Sequence, residues 1–171
     1  MSNTVTWKET WQNISADKGR YYGRWKTHAG FWVTFAYRIR RLRKFGPGWC
    51  KLLLPLDICA ELVRRFLSDS SLPSNMAIGA GLYLPHPSGV IVNDFAVIGA
   101  NVNLFQHVTI GEWHGGYPVL KDNCELFAGA RVFGDITIGE GANVGANAVL
   151  TQDLPDYHVA YPQPVATRPI K

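Results

Sequence analysis

Five histidines are the side chains in this 171-residue chain best suited to moving protons near neutral pH, because an imidazole titrates close to about 6.5. Two of them sit in short turn-forming segments, His86 in Pro85-His86-Pro87-Ser88-Gly89 and His114 in Glu112-Trp113-His114-Gly115-Gly116-Tyr117-Pro118, and His107 lies between the two. A neutral imidazole on such a loop can take the proton of a hydroxyl acceptor. His28 and His158 read as structural or exposed. Cys50, Cys59 and Cys124 have no paired spacing and no Cys-x-x-Cys, which points to a reducing compartment and no structural zinc.

These loops interrupt a regular pattern. From Met76 to Thr151 an aliphatic residue returns every six positions: Ile78, Leu84, Val92, Ile98, Leu104, Ile110, Leu120, Leu126, Val132, Ile138, Val144 and Leu150. A small or aliphatic residue usually stands two positions before each. A period of six fits neither a helix nor an isolated strand; it is the mark of a hexapeptide-repeat parallel β-helix. Three hexads close one coil, so twelve make about four coils. Gly79, Asn93, Gly99, Gly111, Gly139 and Gly145 are expected at corners where φ turns positive. The competing all-β sandwich is disfavoured by the unbroken run from Leu120 to Leu150.

The period slips by two residues between Leu84 and Val92 and by four between Ile110 and Leu120. Extra residues in a solenoid leave as loops, so the His86 and His114 segments should project outward. Because Leu84 and Leu104 stack on successive coils, His86 and His107 should be neighbours at one corner. Ala128-Gly129 and Ala146-Asn147 follow along that corner as a groove of small residues.

Net charge is +4, unevenly divided: residues 1–70 hold thirteen Lys or Arg against five acids, residues 71–171 four against eight. The basic part should hold three helices: one carrying Trp7, Trp11 and Ile14, capped by Asn3 or Thr4; a second from Gly30 to Lys44 with Phe31, Phe35, Ile39 and Leu42 inward and Arg38, Arg41 and Arg43 on the solvated side; a third opening at Pro55 with Leu56, Ala60, Val63 and Phe66 inward. The expected division is an α-helical region over 1–72, a β-helix over 73–155 and an extended tail over 156–171, whose prolines forbid a further regular coil. No export leader or membrane span is visible, so a cytoplasmic protein is expected, its basic second helix suited to a membrane face or lipid-linked substrate. No nucleic-acid-binding motif is present.

The chain resembles the serine acetyltransferase-like branch of the hexapeptide acyltransferases, most closely its capsule or colanic-acid-type polysaccharide acetyltransferases. The resemblance rests on Ala36-Tyr37-Arg38-Ile39, His86-Pro87-Ser88-Gly89-Val90-Ile91-Val92 and Val108-Thr109-Ile110-Gly111, and runs from Ile78 to Pro155. It implies a left-handed β-helix, a homotrimer, acetyl-CoA as donor with no metal, and His86 as general base in direct transfer. For the pantetheine arm the candidates are Gly111, Ala128, Gly129, Gly145 and Ala146, with Arg168 in the tail. His107 stands where the family usually has glycine; orienting His86, binding acceptor and filling space are all open to it.

The departures point to an acceptor. Where serine acetyltransferases carry an aspartate before the catalytic histidine and an arginine-histidine pair in the inserted loop, this chain has Pro85, Gly116 and Tyr117. Without those charges a zwitterionic acceptor is left unpaired. Trp113, His114, Tyr117 and Gln106 would suit a sugar of a capsular or exopolysaccharide. The alternatives are serine O-acetyltransferase, a non-catalytic trimeric assembly protein, and a metal-dependent β-helix hydratase using His86, His107 and His114. The family's aspartate partner for the base lacks a counterpart: counting back from His86 reaches Ser71, with Asp69 nearby.

Overall fold

The structure, a computed structural model, describes residues 4–162. Three helices precede a parallel β solenoid: α1 (Trp7–Gly19), α2 (Ala29–Phe45) and α3 (Leu54–Leu67), the last entered through a 3₁₀ turn at Gly48–Leu53. Thr6 caps α1, its side-chain oxygen accepting from the Glu9 N–H at 3.1 Å, in place of the expected Asn3 or Thr4.

The solenoid has three sheets of four strands, each two or three residues long. One stacks Ile78, Ile98, Leu120 and Ile138; the second Leu104, Leu126, Val144 and Ala160; the third Val92, Ile110, Val132 and Leu150. Single bridges add a fifth rung to each, through Leu154 on the first, Tyr83 on the second and Ser71 on the third. Five rungs therefore stand where twelve hexads imply about four. The chain is in coil register by Ser71, and it stays there past Pro155: Leu154 pairs with Ile138, and Val159–Ala160 with Asn143–Val144. Prolines at 155 and 162 fall at the corners, where no ladder N–H is needed.

Inward residues of the hexads form a continuous buried core from Leu72 to Leu154. The corners differ from expectation. None of the six marked corner residues has positive φ; that conformation falls two or so residues on, at Gly81, Asn101, Asn123, Gly141 and Tyr157 along one corner and Gly89, His107, Gly129 and Asn147 along another. Glycine at 79 and 139 answers a close approach instead: a Cβ on Gly79 would lie 2.5 Å from the Ala100 nitrogen, and one on Gly139 2.3 Å from that of Asp156.

A solenoid's first coil has carbonyls with no coil beneath, and α2 satisfies them. Tyr37 Oη donates to the Met76 carbonyl at 2.9 Å, Arg38 to those of Ile78 (2.7 Å) and Gly79 (2.6 Å), and Arg41 to those of Ser74, Asn75 and Met76. Arg38 is buried and forks onto Asp17 of α1 at 2.9 and 3.1 Å. One Asp17 oxygen also accepts from the Gly81 and Leu82 N–H groups. The arginines expected on a solvated face thus fasten α1 and α2 to the first coil.

Helix α3 is turned the other way from expectation. Of Leu56, Ala60, Val63 and Phe66, only Ala60 is buried. The helix docks on α2 through charge: Asp57 accepts from Arg40 (3.2 Å) and Arg43 (2.7 Å), and Glu61 pairs with Arg40, Arg64 and Arg65. Ionic docking of this side leaves the apolar side outward.

Candidate active site

His86 lies in the loop joining the second sheet to the third, at the corner that continues through Phe105–His107, Phe127–Gly129 and Gly145–Asn147. Pairing of Tyr83 with Asn103 before the loop and of Ile91 with Thr109 after it, both on the next coil, leaves two more residues on the His86 side, so the loop bulges and its imidazole is exposed. The loop is tied down at both ends. The Ser88 N–H donates to the His86 carbonyl at 2.8 Å, Ser68 Oγ donates to the Pro87 carbonyl, and the Gly89 N–H donates to Asp69 at 2.8 Å.

His107 shares this corner, but it is Gly89 that it covers. A Cβ on Gly89 would lie 2.4 Å from His107 Nδ1, and the His107 N–H donates to the Ser88 carbonyl at 2.8 Å. The two extra residues fall between the histidines in register, which counting from Leu84 and Leu104 ignores. His107 holds φ +58, unusual for a residue with a Cβ. The same ladder continues upward: the Gly129 N–H donates to Gln106 O and the Asn147 N–H to Ala128 O, both at 2.9 Å. Ala128, Gly129, Gly145 and Ala146 therefore line one corner, while Gly111 stands on the next and Arg168 lies outside the described residues. Gln106 Oε1 is buried and has no hydrogen-bond partner among the described residues.

Two groups around this corner have surroundings that the sequence reading did not give them. Gly30, the second residue of α2, presses onto the coil so closely that a Cβ there would lie 2.1 Å from the Leu84 carbonyl oxygen. That contact sets His28 against the Leu84–His86 segment. His28 Nδ1 caps α2 by accepting from the Gly30 N–H at 3.2 Å, and its ring packs on Tyr21 with centroids 4.6 Å apart. Partial burial, and then the nearby His86, lower its pKa below the ordinary imidazole value. Asp69 is the second: the Gly89 N–H holds its carboxyl below the usual range, and it faces His107. Nothing in the hexad pattern marks either residue, since both belong to segments outside the repeat as read.

The 112–118 loop leaves from a different corner, between the third sheet and the first. Trp113 and Gly116 form a two-bond turn (3.2 and 3.0 Å) with His114 and Gly115 at positive φ, and Glu112 accepts from the Gly115 N–H at 2.6 Å. Trp113 rests over Gly134, and Tyr117 lies against Phe95 with centroids 5.0 Å apart. Within one chain, then, Gln106 and His107 stand at the His86 corner, and Trp113, His114 and Tyr117 do not. No three His, Cys, Asp or Glu side chains among the described residues converge as a metal site requires. A cleft of about 550 Å³ between Asn147 and Pro162 lies at the far end of the solenoid from His86.

No family model matches the chain. Among curated proteins it is 36% identical over 99 residues to a serine acetyltransferase of Bacillus subtilis (strain 168), spanning 56% of this chain and 46% of the relative. It is 35% identical over 135 residues to the serine acetyltransferase of Bacillus pumilus (strain SAFR-032), spanning 77% and 60%. The chain thus spans about half to three fifths of the length of these relatives. Soybean serine acetyltransferase complexed with serine superposes with TM-score 0.67 at 30% identity, over 91% of this chain and 67% of that one. These likenesses overturn the expected saccharide acceptor, and with it a place in capsule or exopolysaccharide synthesis. Asp69, which accepts from the Gly89 N–H, gives that corner a carboxylate that Pro85, Gly116 and Tyr117 do not supply.

Proposed function

We propose, from the premise that the chain belongs to the serine acetyltransferase branch of the hexapeptide-repeat acyltransferases, that it transfers the acetyl group of acetyl-CoA to the hydroxyl of serine. The observation carrying this reading is an exposed histidine on a bulge clamped by Ser68 and Asp69, within a chain alike to serine acetyltransferases over 135 residues. His86 takes the hydroxyl proton as the serine oxygen attacks the thioester carbonyl. The carbon–sulfur bond then breaks, and the departing thiolate takes the proton back from the imidazolium. A backbone N–H of the corner donates to the oxyanion, and Ala128, Gly129, Gly145 and Ala146 accommodate the pantetheine arm.

Asp69 is the carboxylate we assign to the serine ammonium, in place of the absent aspartate at position 85. The unit is a homotrimer: His86 and the 112–118 loop leave by different corners, and the loop of a neighbouring copy brings Trp113, His114 and Tyr117 to it. Thiol release from acetyl-CoA tests the reading. It predicts release that depends on L-serine, with Asp69→Asn raising KM for serine about tenfold while kcat holds. An unchanged KM would remove Asp69 from the acceptor site.

A further inference from the structure

No helix among the described residues is long and apolar enough to cross a membrane, yet α3 presents a surface built for one. Leu52, Leu54, Leu56, Ile58, Leu62 and Phe66 all face solvent, Leu52 and Phe66 at 82% and 91% exposure. A helix normally turns its apolar stripe to the core and its charges outward; here Asp57 is buried, Glu61 is half-buried, and the leucines are outside. Leaving so much contiguous apolar surface in water is costly and marks an interaction surface.

The surface continues onto aromatic residues. Trp49, in the turn before α3, packs on Trp7 with centroids 5.9 Å apart, and Trp7 stacks on Trp11 at 6.1 Å; all three are about half exposed. Tryptophan favours the boundary between water and lipid headgroups. The charge along α2 and α3 is mainly basic. Between residues 29 and 67 stand eight Lys or Arg and two acids, and those acids, Asp57 and Glu61, are each held by at least two arginines. Of the cations, Arg38 is buried on Asp17 and Arg41 is turned to coil carbonyls; Lys51 beside Leu52 and Arg65 beside Phe66 stand exposed, Arg65 with one bond to Glu61.

We propose that the α3 face, with Trp7, Trp11 and Trp49 at its edge, lies on an anionic lipid bilayer, burying Leu56, Leu62 and Phe66 among the acyl chains while Lys51 and Arg65 meet lipid phosphates. The excess of basic groups selects this occupant over a second copy mated face to face, which would bring like charges together. Membrane lipid, not a soluble anion, is required by the apolar stripe. The inference does not depend on which acceptor the His86 site takes.

The test is sedimentation of the full chain with vesicles of equal parts phosphatidylglycerol and phosphatidylcholine, against phosphatidylcholine alone, with solution mass measured in parallel. The expected result is binding to the anionic vesicles only, weakened by raising salt to about 1 M, where screening shortens to about 3 Å. Leu62→Glu with Phe66→Glu should weaken it about tenfold or more, Lys51→Glu by less, with helicity and mass unchanged. A wild-type chain that ignores anionic vesicles overturns the proposal. So does a double variant whose mass falls to that of a smaller assembly, which would make the face a contact between subunits.

Discussion

Among single residues, His86 and His107 share a corner but differ in what holds them. His107 occupies a left-handed position that its neighbours Gly89 and Gly129 fill without strain, at a cost of about 1–2 kcal/mol. If its ring only covers Gly89, His107→Gly should raise the melting temperature slightly and leave thiol release unchanged. A loss of release beyond about tenfold would give the ring a part in the reaction. Glu61 makes a separate prediction. Its bond to Arg64 leads the effects that lower its pKa from 4.5 to about 2. A carboxylate depressed on folding contributes stability that is whole above the unfolded value and lost as pH falls through the folded one. Acid unfolding between about pH 4.5 and 2 should therefore be shallower in Glu61→Gln, as circular dichroism across that range would detect. The residues that sequence made legible were those in the repeat or on its slips. Asp69 was reached only as a neighbour of Ser71 and His28 was set aside as structural or exposed, because a spacing rule is silent on side chains supplied from outside the spacing.

At the level of elements, α2 joins the helices to the His86 corner. Its arginines satisfy the open carbonyls of the first coil, and its first turn rests on the Leu84 carbonyl through Gly30. Gly30→Ala should push that turn off the coil, costing about 1–3 kcal/mol by overpacking and lowering kcat more than it raises KM for acetyl-CoA. Arg38→Ala leaves Asp17 buried without its partner and should cost about 3–5 kcal/mol in denaturant unfolding. The helices themselves were readable from periodicity and punctuation to within a residue or so for α2. Their facing was not: Arg38 was read as solvated and is buried, and Phe66 was read as inward and is exposed. Amphipathic reading assumes that charge means water. Here the charges of α2 and α3 are spent on each other and on a coil edge, so the assumption fails twice, in opposite directions.

At the scale of the whole molecule, the six-residue period carried the fold, and it did so because each inward side chain must stack on another of the same kind one coil below. The period missed the end rungs, where Ser71, Leu154 and Ala160 pair without a full hexad around them. The acceptor was misread because absent charges at Pro85, Gly116 and Tyr117 were taken as an absent charge at the site, although a site between coils can draw its charge from the preceding segment. The measurement that bears most directly on the account is thiol release from acetyl-CoA with L-serine, in the wild-type chain and in His86→Ala of matching solution mass. If His86 is the base, release depends on serine and falls about 10²- to 10⁴-fold in the variant. Release that needs no serine, or that persists undiminished without the His86 imidazole, would contradict it.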